Sequence, residues 1–517
     1  MQFVIVGRML EGFAILLALA APTWAKTITL DVFDAEGKPV VGPALLAHIA
    51  PHAKKPPENG GLYVTDLDDT PATGRPWLVV TASSTQLAWS GPARVKISLP
   101  WPIADDGFST VVLDNEGAGY ADGDRVVLNE AVALTEYRLF KESFEHRSTT
   151  WEPSYKPGRK WKEQQEAALA AMAAAKRELE PYRKAALYEK ALTRISAAWA
   201  TMLFEHGSQI AVTPKIGATL RWGLTLDESL ASRLADFDNI SKKLGGSGAN
   251  WVRVVFRKNT EDFTYSAQRS FIEYDAMVAE LRRRKLHIMG SVLDSTMWPR
   301  GLEPKTLEER TRNLVMKYKD VIRSWEVASE PNGNWQGGGK GAVPDETIAK
   351  AVQLAAAEVK RIDPSLETVA TLYWWEGTAG DDVHPTISWT RKAVFDGVLK
   401  QIDVVGLSIY PDDNPMGLAF DTTFRRLHSL LPTKKLLLGG FGYVEGKELD
   451  GYWWLEPGDV DGARKDLLIL YSGAAASIPS GLGGGFWWPT LSTMLNGSRD
   501  GESMFRIYRR TMDRLGR

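Results

Sequence analysis

Residues 321–335 read VIRSWEVASEPNGNW. Val321 and Ile322 open an apolar run that passes through Trp325, Glu326 and Val327 to Ser329, Glu330, Pro331 and Asn332. A short run of this kind fits a strand buried on both faces, as parallel sheets require. Pro331 has no backbone N–H for a further ladder bond, so it ends the strand. Glu330 is therefore expected at the C-terminal end of a buried parallel strand, between the indoles of Trp325 and Trp335.

Working outward, apolar runs of the same length recur on both sides. They lie at 217–224 (GATLRWGL), 250–256 (NWVRVVF), 286–293 (LHIMGSVL), 367–373 (ETVATLY), 402–409 (IDVVGLSI), 435–441 (KLLLGGF) and 482–488 (LGGGFWW). Between them lie stretches with apolar residues at helical spacing, such as SFIEYDAMVAELRRR and DETIAKAVQLAAAEVKRI. Eight alternating units are what a (β/α)₈ TIM barrel requires. A doubly wound open sheet would carry a Gly-rich phosphate loop after its first strand, and this chain has none there. The run GGGK at 337–340 lacks the strand–loop–helix context of such a loop and reads as a flexible βα connection. The expected fold class is thus α/β, a (β/α)₈ TIM barrel over 213–517 with further structure before it.

The preceding residues divide into three. Residues 1–25 are expected to be a cleavable secretory signal, with positive charge at Arg8, an apolar run over 12–21, and small Thr23 and Ala25 before Lys26. That run is too short to span a bilayer comfortably. The expectation is a secreted or periplasmic protein with no integral span in the mature chain; a retained N-terminal anchor is the alternative. Residues 26–145 read as a β-sandwich-like accessory domain, because KTITLDVFD, WLVVTAS, ARVKISL, FSTVVLD and DRVVLNEAVAL follow at short intervals between turn residues. A sugar-binding module and a docking module fit it equally. Residues 146–212 read as a helical connector rich in Ala, Glu, Lys, Arg and Leu, divided or kinked at Pro181.

Composition excludes several classes. The 517 residues are 44% hydrophobic and 24% charged, as in a globular protein. With 62 basic and 64 acidic residues the net charge is −2, which argues against nucleic acid or an anionic membrane as partner. There is no cysteine, so no disulfide and no thiol chemistry. The seven histidines show no metal-ligand spacing, and His287 reads as a core residue of the third strand. No Gly-x-Ser-x-Gly elbow is present. No metal or cofactor is expected.

The 19 tryptophans then gain a pattern. Trp298 follows the third barrel strand, Trp335 the fourth, and Trp374 and Trp375 the fifth. Tyr410 ends the sixth, Trp453 and Trp454 follow the seventh, and Trp487 and Trp488 end the eighth. Singly each ring reads as core. As a set at one rim they suit a polysaccharide or oligosaccharide, whose C–H faces stack on aromatic rings.

With these residues in view, 217–510 resemble the clan-A glycoside hydrolases, the superfamily of retaining (β/α)₈ glycosidases. WEVASEPN is similar to that family's strand-four motif, where an Asn-Glu-Pro triplet presents the general acid/base. The resemblance assigns that role to Glu330. Arg253 in WVRVVF resembles the strand-two arginine that supports the catalytic carboxylates. Tyr410 in LSIYP resembles the residue after strand six, and Trp487 or Trp488 the strand-eight tryptophan under the first sugar. Ser329 stands where the family has the asparagine that contacts the sugar 2-hydroxyl, and it can still donate one hydrogen bond. The family ends strand seven with a nucleophilic glutamate, but residues 438–443 read LGGFGY, and Gly440 stands at that position.

A retaining glycosidase needs two carboxyls about 5–5.5 Å apart. The ionised one attacks, and its charge keeps the other protonated. Glycine does neither. Three readings stand. Glu445 in the following loop, or Glu448 or Glu456 beyond it, supplies the second carboxylate. Asp294, Glu376, Asp412 or Asp413 from another strand end activates water across a gap of about 6.5–9.5 Å, as inverting enzymes do. Or the barrel binds glycans without cleaving them. Trp298, Trp335 and Trp375 join Arg253, Ser329, Tyr410, Trp487 and Trp488 as the expected substrate-binding set.

Overall fold

The computed structural model describes residues 25–34, 36–49, 61–81, 84–104, 107–227, 246–257, 271–295, 298, 300–333, 335–337, 343–376, 384–411, 414–442, 460–488 and 504–516. The signal segment at 1–24 lies outside the described residues.

Among the described residues eight strands precede the barrel: β1 (Lys26–Asp31), β2 (Tyr63–Thr65), β3 (Thr73–Val80), β4 (Thr85–Ser90), β5 (Arg94–Ile103), β6 (Gly107–Leu113), β7 (Tyr120–Ala121) and β8 (Arg125–Val127). They form two small sheets, β3-β4-β1-β8 and β2-β5-β6 with β7 on β5. All pairs are antiparallel except β1 with β8. A short helix α1 (Pro43–Ile49) adds Leu45 and Ile49 to their shared core.

Helix α2 (Leu128–Thr149) replaces most of the strand that the sequence pattern predicts over 124–134. Only Arg125–Val127 is extended. Beyond Val127 the buried residues include Leu128, Val132, Glu136, Phe140, Ser143 and Arg147, the 3.6 period of a helix face. The helical layer thus begins well before 146. It continues as α3 (Arg159–Arg177) and α4 (Pro181–Ala211), and Pro181 opens α4 where its missing N–H has no helical partner to lose. A four-residue turn, α5 (Pro214–Gly217), leads into the barrel.

In the barrel, β9 (Arg221–Leu226), β10 (Trp251–Val255), β11 (His287–Ser291), β12 (Ser324–Ser329), β13 (Glu367–Tyr373), β14 (Val404–Ile409), β15 (Lys435–Gly442) and β16 (Gly481–Trp488) match the eight expected runs. They close in sequence order, with β16 beside β9 and every pair parallel. Around them lie α6 (Asp275–Arg283), α7 (Pro304–Tyr318), α8 (Asp345–Ile362), α9 (Thr386–Phe395), α10 (Ala419–Leu430), α11 (Val460–Ala475) and α12 (Met504–Arg514). His287 is exposed at the start of β11, stacked on Trp251 at 5.1 Å, and is not the core residue expected. Among the described residues no helix is long and apolar enough to cross a membrane.

The earlier elements dock on the barrel through polar contacts. Arg147 of α2 and Asp421 of α10, both buried, pair at 2.6 Å, and Arg147 also donates to the Ser477 carbonyl. Tyr63 and Ser388 share a hydrogen bond, and Arg426 pairs with Asp69 at 2.6 Å. Gly207 of α4 lies against Gly473 of α11, and a Cβ at 207 would stand 2.0 Å from the Gly473 carbonyl oxygen. Gly207→Ala is therefore expected to destabilise the protein by about 1–3 kcal/mol, as overpacking does. In an unhindered helix the same change stabilises by about 0.4–1 kcal/mol. Urea unfolding of the two proteins reads the sign, and a more stable variant would show that the two helices do not cross so closely.

Candidate active site

Strand parity builds the site. Successive side chains on a strand point to opposite faces, so every second residue enters the barrel. On β13 the inward series is Glu367, Val369, Thr371, Tyr373, and on β14 it is Val404, Gly406, Ser408, with Tyr410 next. Glu367 at the lower end is paired with Arg221 through two hydrogen bonds of 2.7 Å. One layer up, Met289, Val369, Val404, Leu437, Leu482 and Phe486 form an apolar cluster separate from the main core. Above this plug the lining mixes charged and hydroxyl side chains with aromatic rings.

The next layer is centred on Glu326, which is fully buried. Arg253 donates to its Oε2 through Nε at 2.9 Å and Nη2 at 2.6 Å, and Thr371 donates to its Oε1 at 2.5 Å. Burial works against the Arg253 charge, but Glu326 first, with Tyr410 and Asp294, together outweigh it and the guanidinium pKa lies above its ordinary value. Arg253 Nη2 also donates to Ser329 Oγ at 3.3 Å.

Glu330 stands above this pair with φ of 52°, the left-handed region that non-glycine residues rarely occupy. Such a conformation costs about 1–3 kcal/mol and persists only where surroundings over-determine it. Here its N–H donates to the Thr371 carbonyl at 2.6 Å, and its own carbonyl accepts from Gln336 Nε2 at 2.6 Å and the Gly333 N–H at 3.0 Å. Asn332, wholly buried, bridges to the end of β13, donating to the Tyr373 carbonyl and accepting from the Tyr373 N–H. The turn thus points the Glu330 side chain into the barrel mouth.

The carboxyl is 6% exposed as a residue and accepts a 2.5 Å hydrogen bond from Ser408 Oγ. Burial pushes it up to about 7. Hydrogen bonds from Ser408 and Ser295 work the other way, while the nearby Asp294 charge adds to the effect of burial and Arg253 opposes it. Near neutral pH a large share of Glu330 stays protonated, where an ordinary carboxyl is almost wholly ionised.

A cavity of about 330 Å³ opens over Glu330, lined also by Arg253, Asp294, Trp335, Tyr410, Gly440 and Trp488. Arg257 joins the strand ends at one side, donating to Asp227 at 2.9 Å and to Asp294 at 2.9 and 3.2 Å. The Trp488 ring lies 4.7 Å from the Arg257 guanidinium and 5.6 Å from that of Arg253. Across the mouth Tyr410 lies nearly parallel to Tyr373 at 6.1 Å. Burial, then the charges of Glu330 and Asp294, hold the Tyr410 phenol protonated, and Arg253 opposes them.

Of the residues singled out from sequence, Glu330, Arg253, Ser329, Trp335, Tyr410 and Trp488 line this cavity together. Trp298, Trp375 and Trp487 do not. Each is buried: Trp298 donates to the Ser329 carbonyl, Trp375 donates to the His384 carbonyl and packs edge-on against Trp335, and Trp487 packs edge-on against Phe441. They brace the site from behind. Among the alternative acids Asp294 lines the cavity, whereas Glu376 is buried near Arg426 and Asp69 of the N-terminal sheets. Glu445, Glu448, Glu456, Asp412, Asp413, Trp453 and Trp454 lie outside the described residues. Sequence reading missed Ser408, Ser295, Asn332 and Tyr373. Strand parity counted back from Tyr410 would have found Ser408, but nothing local marks Ser295.

Gly440 differs from its neighbours. A Cβ at Gly439 would stand 2.7 Å from Thr371, and one at Gly442 would stand 1.4 Å from the Trp488 carbonyl oxygen. Among the described residues a Cβ at Gly440 would meet only the Tyr410 hydroxyl at 3.5 Å and Ser408 Cβ at 3.6 Å, ordinary contacts. Packing requires glycine at 439 and 442 and does not require it at 440.

The arrangement can deliver a proton from Glu330 to a ligand oxygen and stack a ring on Trp488 or Trp335. Among the described residues no cluster of three or more His, Asp or Glu is placed to hold a metal ion. No protein-family profile matches the sequence, and no curated protein matches it. Solved structures do match. A glucosidase from Croceicoccus marinus aligns at 15% identity and TM-score 0.38, over 53% of this chain and 63% of that one. An endoxylanase (GH10) retrieved from a sugarcane soil metagenome aligns at 14% and 0.40, over 57% and 96%. A β-glucosidase from Thermotoga maritima aligns at 12% and 0.39, over 52% and 88%. At these identities the likeness is one of fold alone.

Proposed function

We propose that this chain is an exported glycoside-hydrolase-like protein that acts on a β-linked polysaccharide or oligosaccharide in the barrel cleft, with Glu330 as proton donor. One observation carries the reading. Glu330 sits at a strand's C-terminal end in a strained, hydrogen-bonded turn, and burial raises its carboxyl to about 7. A general acid is effective when its pKa lies near the working pH. Arg253, held by Glu326, and Ser329 would face the sugar hydroxyls, and Trp488, Trp335 and Tyr410 would border the first subsites. Trp298, Trp375 and Trp487 serve this reading as packing behind the rim. Export rests on residues 1–25, and glycans rather than nucleic acid are favoured by the near-neutral charge.

The test is release of reducing sugar from a panel of β-glucans, β-xylans and β-mannans, run against pH. The deprotonated acid cannot donate, so turnover is expected to fall as pH rises through about 7. A rate that keeps rising to pH 9 would remove Glu330 from the donor role. Tight glycan binding with no turnover at any pH would favour the second reading, a glycan-binding pseudo-glycosidase, which Gly440 motivates.

A further inference from the structure

Among the described residues nothing sterically requires glycine at 440. Its φ is not in the left-handed region, among the described residues its Cβ position meets only ordinary contacts, and that position opens into the same cavity as Glu330. The neighbouring glycines at 439 and 442 are sterically required, so the strand does not simply run to glycine for closeness. The Tyr410 hydroxyl lies at the edge of this open space. Ser408, across the same edge, is already committed to the proton donor.

We infer that the space over Gly440 receives a small monovalent, carboxylate-like anion from solution, and that this anion is the nucleophile for sugar transfer. The inference rests on the proposed action at β-glycosidic bonds. A lone pair of the anion forms a bond to the anomeric carbon while the bond from that carbon to the glycosidic oxygen breaks. The departing oxygen takes the proton of Glu330 and leaves as an alcohol. Glu330 remains as a carboxylate and regains its proton from water. One displacement inverts the anomeric centre, so a β-glycoside yields an α-configured adduct. The Tyr410 hydroxyl would donate a hydrogen bond to the incoming anion.

Sodium azide is the probe, with nitrophenyl β-glucoside, β-xyloside and β-mannoside as donors and the full chain as catalyst. Azide is expected to raise nitrophenol release by about tenfold or more, and proton NMR to show an α-glycosyl azide. Gly440→Val, which fills the space, is expected to abolish the azide effect. Gly440→Glu is expected to hydrolyse the same donors without azide and with retained configuration. Turnover by the unmodified chain that ignores azide, whatever its stereochemistry, overturns the inference and leaves the hydrolase reading standing. So does a sugar trapped covalently on Glu445, Glu448 or Glu456. Neither azide response nor Gly440→Glu activity on any donor, with Gly440→Glu still folded, overturns both together.

Discussion

Glu330→Gln is expected to lower polysaccharide turnover by about 10²–10⁴-fold, the usual contribution of a positioned general acid. Glutamine keeps the size of the side chain and can still accept from Ser408 Oγ, so the cavity shape is preserved. The proton is what is lost. The same change is expected to stabilise the protein at alkaline pH. A carboxyl whose folded pKa is raised holds a proton in the native state that the unfolded chain has released. Native stability therefore falls as pH rises from the ordinary carboxylate range to about 7, and the full penalty is present above it. The gap between about 7 and the ordinary 4.5 corresponds to about 3 kcal/mol. Above pH 8 the variant should gain up to that amount in urea unfolding, and below pH 4 it should match the parent. Loss of activity together with gain of stability separates a lost acid from a damaged fold. Undiminished turnover in the variant would end the proposal.

Arg253→Ala is expected to cost about 3–5 kcal/mol of stability, because it strands a buried charge. Glu326 is 0% exposed, with Arg253 on one oxygen and Thr371 on the other. Glu326→Ala should cost a similar amount by stranding Arg253. The double replacement Arg253→Met with Glu326→Leu removes both charges, and it is expected to recover most of the loss. A double-mutant cycle in urea, built from Arg253→Met, Glu326→Leu and the two combined, would then show strong coupling. Additive costs would mean that the two charges do not depend on each other. The doubly substituted protein should fold and yet bind glycans poorly, since Ser329 loses the Arg253 contact that orients it.

Both expectations concern groups whose element was visible in the sequence and whose environment was not. The eight barrel strands were legible because strands buried on both faces read as unbroken apolar runs between helices. Glu330 was legible because Pro331 marks the strand end. The stretch 124–134 misled because a few residues of Val and Leu fit both periods. Only the burial of Phe140, Ser143 and Arg147 further along settles it as helix.

The indoles show the limit most clearly. Trp487 and Trp488 are adjacent in sequence, and either could have carried the strand-eight role. On a strand they face opposite ways, and Trp488 enters the cleft while Trp487 packs against Phe441. Trp298 and Trp375 belong to the rim by sequence position, but both are buried. Gly440 was legible as a missing carboxylate. That a side chain would fit there, and would not fit at Gly439, depends on Tyr410, Ser408 and Thr371, which lie on other strands.

Taken alone, the sequence determined the barrel, its strand ends and the presence of one carboxylate at the end of β12, because periodicity and proline chemistry are local. The tertiary structure decided that burial raises this carboxyl toward neutrality, that its donors are Ser408 and Ser295, that Arg253 is bound to Glu326, and which rings reach the cavity. Those outcomes depend on burial and on distances between residues far apart in the chain, 73 positions for Arg253 and Glu326 and 78 for Ser408 and Glu330. No local pattern encodes them, since the dielectric and the neighbours of Glu330 exist only once eight separate strands have closed.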